Sequence, residues 1–176
     1  MADRDLFLNA LLGLVCAGPV HGYELASRFG PGGELEAVGR IGRSQVYALL
    51  KTLEGQGLVA VRLEEAGGGP PRRVFEATPA GRRRFLAWVR EPVGSVRRLR
   101  VEFPLKFYLA RQLGPRAAAG LVRRQEEELG RALQALRART RSGVGRWVDD
   151  LRMRLLEAGL AWLSELQRER QGEDAP

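Results

Sequence analysis

The sequence predicts a mainly α-helical protein with one small antiparallel β unit, and three observations predict it. Val46, Leu49, Leu50 and Leu53 stand at i, i+3, i+4 and i+7, which makes a single stripe on a helix. Between residues 58 and 77 the apolar period drops to two on either side of the turn-rich run "EEAGGGPPRR". Beyond residue 100 helical spacing runs on for long stretches with few breakers.

From Leu6 to Ala17 a nearly continuous apolar run reads as a buried helix, with Gly18 as its left-handed cap and Pro19 preventing continuation. A second helix fits Gly22 to Phe29, with His21 at its start. Residues 30 to 41 are loop-rich, with a short extended piece expected at Val38 to Ile41. The third helix should begin near Arg43, where Gly42 and Gln45 occupy the first and last positions of a capping box, and end at Gly55 and Gly57.

Opposite the buried stripe of this helix lie Ser44, Ala48 and Lys51, with Tyr47 on one flank and Gln45 and Thr52 on the other. A face that is small at its centre and ringed by hydrogen-bond donors suits close approach to a groove floor with phosphates on either side. Gln45 fits two roles, completing the cap or reading an adenine edge.

Leu58 to Leu63 and Val74 to Ala77 read as two strands. Between them Gly67 to Gly69 form a flexible tip, and Pro70 and Pro71 oppose strand pairing. Thr78 then caps a fourth helix that opens on Pro79. Three helices, strand, tip and strand are the element order of a winged helix-turn-helix, in which the third helix enters the major groove and the tip meets a neighbouring phosphate or minor groove. Arg43, Ser44, Gln45, Tyr47 and Lys51 are therefore the candidate DNA-reading residues, with Arg72 and Arg73 as candidate phosphate contacts on the wing. The basic run Arg82 to Arg84 fits backbone phosphates and a solvated helix face equally well.

The second half is helical. An extended "PVGSVRRLR" leads into a helix over "VEFPLKFYLARQL", whose Pro104 is tolerable in a first turn. Pro115 opens a longer helix to about Arg139, with Ala118, Val122, Leu129, Leu133 and Leu136 as its seam, and "RSGVG" breaks it. The last helix, from about Arg146 to Arg170, carries Val148, Leu151, Leu155, Trp162 and Leu166 on one side and Met153, Leu156, Leu160 and Leu163 on another. Two stripes need two partners, and the simplest second partner is another copy of the chain. Trp88, Trp147 and Trp162 are expected to pack, as are Phe103, Phe107 and Tyr108. The expected boundaries are a winged helix-turn-helix domain over 1–91, a linker over 92–100, a helical dimerisation and effector domain over 101–171, and a disordered tail over 172–176.

Composition narrows the chemistry. A net charge of +8 favours a polyanionic partner, but residues 1–91 carry 12 basic and 10 acidic side chains against 17 and 11 in residues 92–176. The excess therefore sits mostly in the second half, and nearly all of it is arginine. One cysteine, Cys16, lies among leucines and reads as a small core side chain, and with His21 the sole histidine neither a metal site nor most acid-base designs can be assembled. No nucleophile elbow, phosphate-binding loop or HExxH helix is present, so neither an enzyme nor a cofactor is expected. No apolar run is long enough for a membrane span and no signal peptide is evident, so the expected location is the cytoplasm.

"LGLVCAGPVHGYEL", "SQVYALLKTLEGQGLV" and "GPPRRVFEATPAGRRRF" together resemble successive signature blocks of the PadR-like transcription regulators, in family order and over most of residues 10–90. The resemblance implies a homodimeric, usually repressing protein that binds double-stranded operator DNA. It further implies C-terminal helices that mediate dimerisation and often help form a small-molecule site, here for a small hydrophobic or aromatic effector. Wing tips in the family often read glycine, basic, proline, basic, basic, aromatic, and Pro70 takes the first basic position, so phosphate affinity would rest on Arg72 and Arg73. Two other classes fit the residues less well: a winged-helix adaptor for a protein partner, and an RNA or polyanion binder using the basic C-terminal half.

Overall fold

A computed structural model describes residues 2–66 and 69–173. The chain divides into two compact units, residues 1–89 and 90–176. The fold of the first is a winged helix.

Helix α1 (Ala2–Ala17) is followed by a two-residue strand β1 (Val20–His21), α2 (Gly22–Arg28), a 3-10 turn at Glu36–Val38 and α3 (Arg43–Gly55). Strands β2 (Val59–Ala66) and β3 (Gly69–Ala77) form the wing, and α4 (Pro79–Arg90) closes the unit. The core gathers Leu11, Leu12 and Val15 of α1, Leu25 and Phe29 around α2, the Val46, Leu49, Leu50 and Leu53 stripe of α3, and Val59 and Phe75 of the wing. On α3 the buried residues share one face, as a period of about 3.6 residues requires, whereas α1 is buried all round from Leu8 to Val15. Gly57 has φ of +67°, the left-handed turn that lets the chain leave α3 and enter β2 at once. Thr78 caps α4 by accepting the Gly81 N–H at 3.0 Å.

Several expectations are corrected here. Gly18 is not left-handed, because the chain passes directly into β1 instead of reversing. β1 itself pairs with β3 at Val20–Phe75 and His21–Val74, giving the sheet order β1-β3-β2. Residues 38–41 form no strand, and a 3-10 turn stands at Glu36–Val38. In that loop Glu36 accepts the Gly32 N–H and pairs with Arg40, and these contacts hold its carboxyl below the usual range. Pro70 and Pro71 lie within β3. β1 reaches only residues 74 and 75, so at the prolines β3 has a neighbour on one side alone, and the missing N–H groups coincide with a register irregularity between Glu64 and Ala66. The expected flexible glycines Gly67 and Gly68 lie outside the described residues.

The second unit comprises α5 (Val96–Leu99), α6 (Glu102–Gln112), α7 (Pro115–Arg137) and α8 (Val144–Glu173). A short helix thus replaces the expected extended segment, with Ser95 capping it by accepting the Arg98 N–H. α8 runs through Glu173, so the first two residues of the expected tail are helical; residues 174–176 lie outside the described residues.

The core of this unit holds Phe103, Leu105, Leu109, Leu121, Val122, Leu129, Leu156 and Leu163. It also holds charge. Lys106 is 1% exposed, donates to the Glu91 carbonyl at 2.8 Å and pairs with Glu102 at 3.1 Å. Arg98 closes the network with two hydrogen bonds to Glu102 of 2.6 and 2.7 Å. Burial raises the Glu102 carboxyl, yet Arg98 and Lys106 outweigh it and hold it below the ordinary value, while burial lowers the Lys106 ammonium despite Glu102. Gln125 adds a second polar clamp, accepting from the Val93 N–H at 2.7 Å and donating to its carbonyl at 3.0 Å.

Trp147 is the correction in this unit. It was expected to pack and is 70% exposed on α8. Trp162 instead sets its ring edge-on to Phe103 at 5.7 Å, and Trp88 lies tilted against Phe85.

Candidate nucleic-acid interface

The candidate interface combines one face of α3 with strand β3 of the wing, which carries Arg72 and Arg73. Burial of Val46, Leu49, Leu50 and Leu53 turns Arg43, Ser44, Gln45, Ala48 and Lys51 outward, and all five are exposed. The face is shallow at its centre, where Ala48 projects only a methyl group.

The helix start is open. Gly42 offers no side-chain cap, and the Gln45 N–H bonds back to the Gly42 carbonyl at 3.0 Å. Gln45 makes no side-chain hydrogen bond among the described residues, so the capping alternative has no geometry to support it here. The reciprocal bond occurs instead at α2, where Glu24 accepts the His21 N–H at 3.2 Å.

Tyr47 is half-buried and does two jobs. Its ring lies so close to the start of α2 that a Cβ on Gly22 would stand 2.7 Å from Cε1 and 2.9 Å from the hydroxyl oxygen, so any side chain there would displace the ring. Above it, the Arg43 guanidinium sits 5.9 Å from the ring centroid, a cation–π contact that steadies an otherwise mobile side chain at the lip of the face. Tyr47 thereby couples α2, α3 and Arg43.

The two wing arginines differ. Arg73 ion-pairs with Glu54 of α3 at 3.0 Å and lies over the Phe75 ring at 5.5 Å. Its charge is largely spent on fixing the wing to α3. Arg72 is exposed, and among the described residues no carboxylate lies within ion-pairing distance of it or of Arg43 or Lys51. The described wing strands carry Arg62, Arg72 and Arg73 against Glu64, Glu65 and Glu76, so the wing as a whole is not a basic patch. Glu76 also engages Arg62 at 3.5 Å, which leaves Arg72 as the strand's available cation.

Sequence reasoning missed Gly22 as the seat of Tyr47 and Glu54 as the partner of Arg73. Neither has a local signal, because each contact joins residues about twenty or more positions apart. Cys16 brings no chemistry to the face: burial pushes its thiol up to about 11, against the pull of Arg82, so it stays protonated near neutrality. Arg82 itself donates to the Cys16 carbonyl at 3.0 Å.

Residues 11–87 match the Transcriptional regulator PadR-like family. The match lies within the winged unit. The match covers α1 through most of α4, the elements that build the α3 face and the wing. A relative from Bacillus subtilis (strain 168), the negative transcriptional regulator PadR, is 28% identical over 118 residues, which cover 66% of this chain and 63% of that protein. The match therefore spans less than two thirds of the relative's length. Among solved structures, Bacillus subtilis PadR in complex with operator DNA is 21% identical, with 91% of this chain and 97% of that chain covered and a TM-score of 0.48. The same protein in complex with p-coumaric acid is 21% identical over 94% of this chain and 99% of that chain, with a TM-score of 0.44.

Proposed function

We propose that the chain is a sequence-specific DNA-binding transcription regulator that acts as a homodimeric repressor and is released by a small hydrophobic or aromatic effector. One observation carries the reading: α3 buries its whole apolar stripe and presents a shallow outer face whose polar side chains are unspent on the protein itself. Ser44 and Gln45 supply hydrogen-bonding groups for base edges, while Arg43, Lys51 and Arg72 supply charge for the phosphates on either side. Tyr47 and Arg73 act mainly as braces, the first under Arg43 and the second between wing and helix.

In this reading residues 1–91 contact DNA, 92–100 connect, and 101–171 pair two copies. Pairing is supported by the α8 face that carries Val144, Trp147, Val148, Leu151 and Leu155, all large apolar side chains left exposed on one chain. A dimer would read two half-sites about 34 to 36 Å apart or a multiple of that. The relationship to a protein named a negative transcriptional regulator supports repression over activation.

The test is a mobility shift with the promoter region of the protein's own gene, run over a salt series. Saturable binding that survives excess nonspecific DNA is expected, with sedimentation showing two chains per shifted complex. Binding that ignores sequence at every salt concentration would end the regulator reading.

A further inference from the structure

We infer that His21 is a proton-operated link between the DNA-reading face and the wing, and that operator binding tightens when its ring takes up a proton. The inference rests on the regulator reading and adds a condition under which the reading head holds DNA best.

His21 stands where three parts of the winged unit meet. Its backbone pairs with Val74 of β3, and it is the residue immediately before α2. Next to it comes Gly22, against which the Tyr47 ring lies, and Tyr47 in turn carries the Arg43 guanidinium. On its other side His21 Nε2 lies 3.6 Å from Oε2 of Glu64 on β2. The imidazole is thus one residue from the lip of the α3 face and within ion-pairing range of the wing.

The charges around the ring are few. His21, Val74 and Arg62 form one row across the sheet and so share one side of it, and Glu64, Arg72 and Glu76 lie on that same side two residues along their strands. Arg62 and Glu76 engage each other at 3.5 Å. Glu64 and Arg72 are register partners without an ion pair, so Glu64 sets a negative charge beside the strand's available cation. From α2, Tyr23 stacks on the ring at 5.3 Å, and its hydroxyl and the His21 N–H both donate to the Glu24 carboxylate.

The two ring nitrogens meet different surroundings. Nδ1 is buried, turned to the start of α2, and closes no hydrogen bond among the described residues. A proton there lacks an acceptor, a cost that attraction between the charged ring and Glu64 opposes. DNA adds a field of one sign. Phosphates held by Arg43 and Arg72 flank the ring in the regulator reading and favour its charged form. A charged ring also cancels Glu64, whose repulsion of those phosphates otherwise offsets Arg72. Histidine is the side chain whose charge changes between pH 5 and 8, so the link operates near neutrality. By reciprocity, proton and operator each raise the other's affinity by the same factor.

The experiment uses the full chain, whose sole histidine gives one ring signal per copy. Histidine labelled at Cε1 is followed by NMR across the acid-to-neutral range, free and then saturated with a duplex from the protein's own promoter region. The duplex should raise the ring's affinity for the proton about threefold, the strength of one exposed charge pair. Operator affinity in mobility shifts should then be about threefold higher per chain in mild acid than in mild alkali. His21→Gln should abolish that dependence. Glu64→Gln, at a half-exposed strand position, keeps the fold and should tighten binding in mild alkali more than in mild acid. Operator binding without any change in the ring's titration, or a His21→Gln variant that keeps the parent's pH dependence, would overturn the link and leave the regulator reading standing. A chain that binds no duplex instead ends the regulator reading. The free chain still decides the contact itself: Glu64→Gln should lower the ring's proton affinity about threefold, and an unchanged affinity rejects it.

Discussion

The two units treat their apolar side chains in opposite ways. In the winged unit the α3 stripe is fully buried and the outward face is polar, with Leu63 and Tyr23 the large apolar side chains left in solvent. In the helical unit α8 leaves Trp147 at 70% and Leu151 at 58% exposed while Lys106 lies in the core at 1%. The first unit completes its own core and leaves a polar outward face on α3. The second spends charge inside and leaves an apolar surface exposed, the surface that the proposed pairing of two copies would cover.

The contrast can be broken most forcefully in the core of α3. Leu50→Ala should destabilise the winged unit by about 4 kcal/mol, from lost burial and the cavity left behind. Leu155→Ala, on the exposed α8 face, should change single-chain stability by less than about 0.5 kcal/mol. Amide exchange resolved along the chain compares the two, and similar losses would abolish the distinction between finished and unfinished surfaces.

Next comes the buried charge. Glu102→Ala leaves Lys106 without its carboxylate and should cost about 3 kcal/mol in the helical unit. The pH dependence follows from the lowered carboxyl. Its stabilisation is fully present above the ordinary value of 4.5 and is lost as pH falls through the lower folded value, so the parent should melt progressively earlier below that pH. Thermal melts of Glu102→Gln between acid and neutral pH should show a shallower acid limb; an unchanged limb would remove Glu102 from the account.

On the DNA face the effects are smaller and divide by role. Lys51→Ala and Arg72→Ala should each flatten the log–log salt dependence of operator binding by about one unit. Arg73→Ala should flatten it by less, because Glu54 already neutralises that charge, and should lower wing stability instead. Equal slopes for all three variants would mean that the ion pair opens on binding. Of the substitutions expected to lower stability, the α4 cap stands below Leu50 and Glu102: Thr78→Ala should cost about 1 kcal/mol in a thermal melt.

Much of this was legible in the residues. The α3 stripe, the Thr78–Pro79 helix start and the Pro115 start each depend on neighbours within one or two turns, and the structure has them where the spacing puts them. β1 was not legible, because two residues are too few to show a period and exist as a strand only by pairing with Val74 and Phe75. The same holds within the candidate face. Exposure of Ser44, Gln45 and Lys51 follows from helical phase, whereas the tie between Arg73 and Glu54 needed the wing's position against α3. Trp147 shows the remaining gap, since a side chain with helical spacing reads as core whether its partner is in the same chain or absent from it.

Sequence alone determined where the long helices lie, which face of α3 turns inward and where the wing folds back, because these depend on period, caps and turn residues along the chain. Tertiary structure alone decided which arginines are already spent, that Gly22 carries Tyr47, and that Lys106 is held in a core by Glu102. The physical reason is one of range: backbone preference and amphipathic phase act over a few residues, whereas charge pairing and close packing depend on distances that only the folded chain brings about.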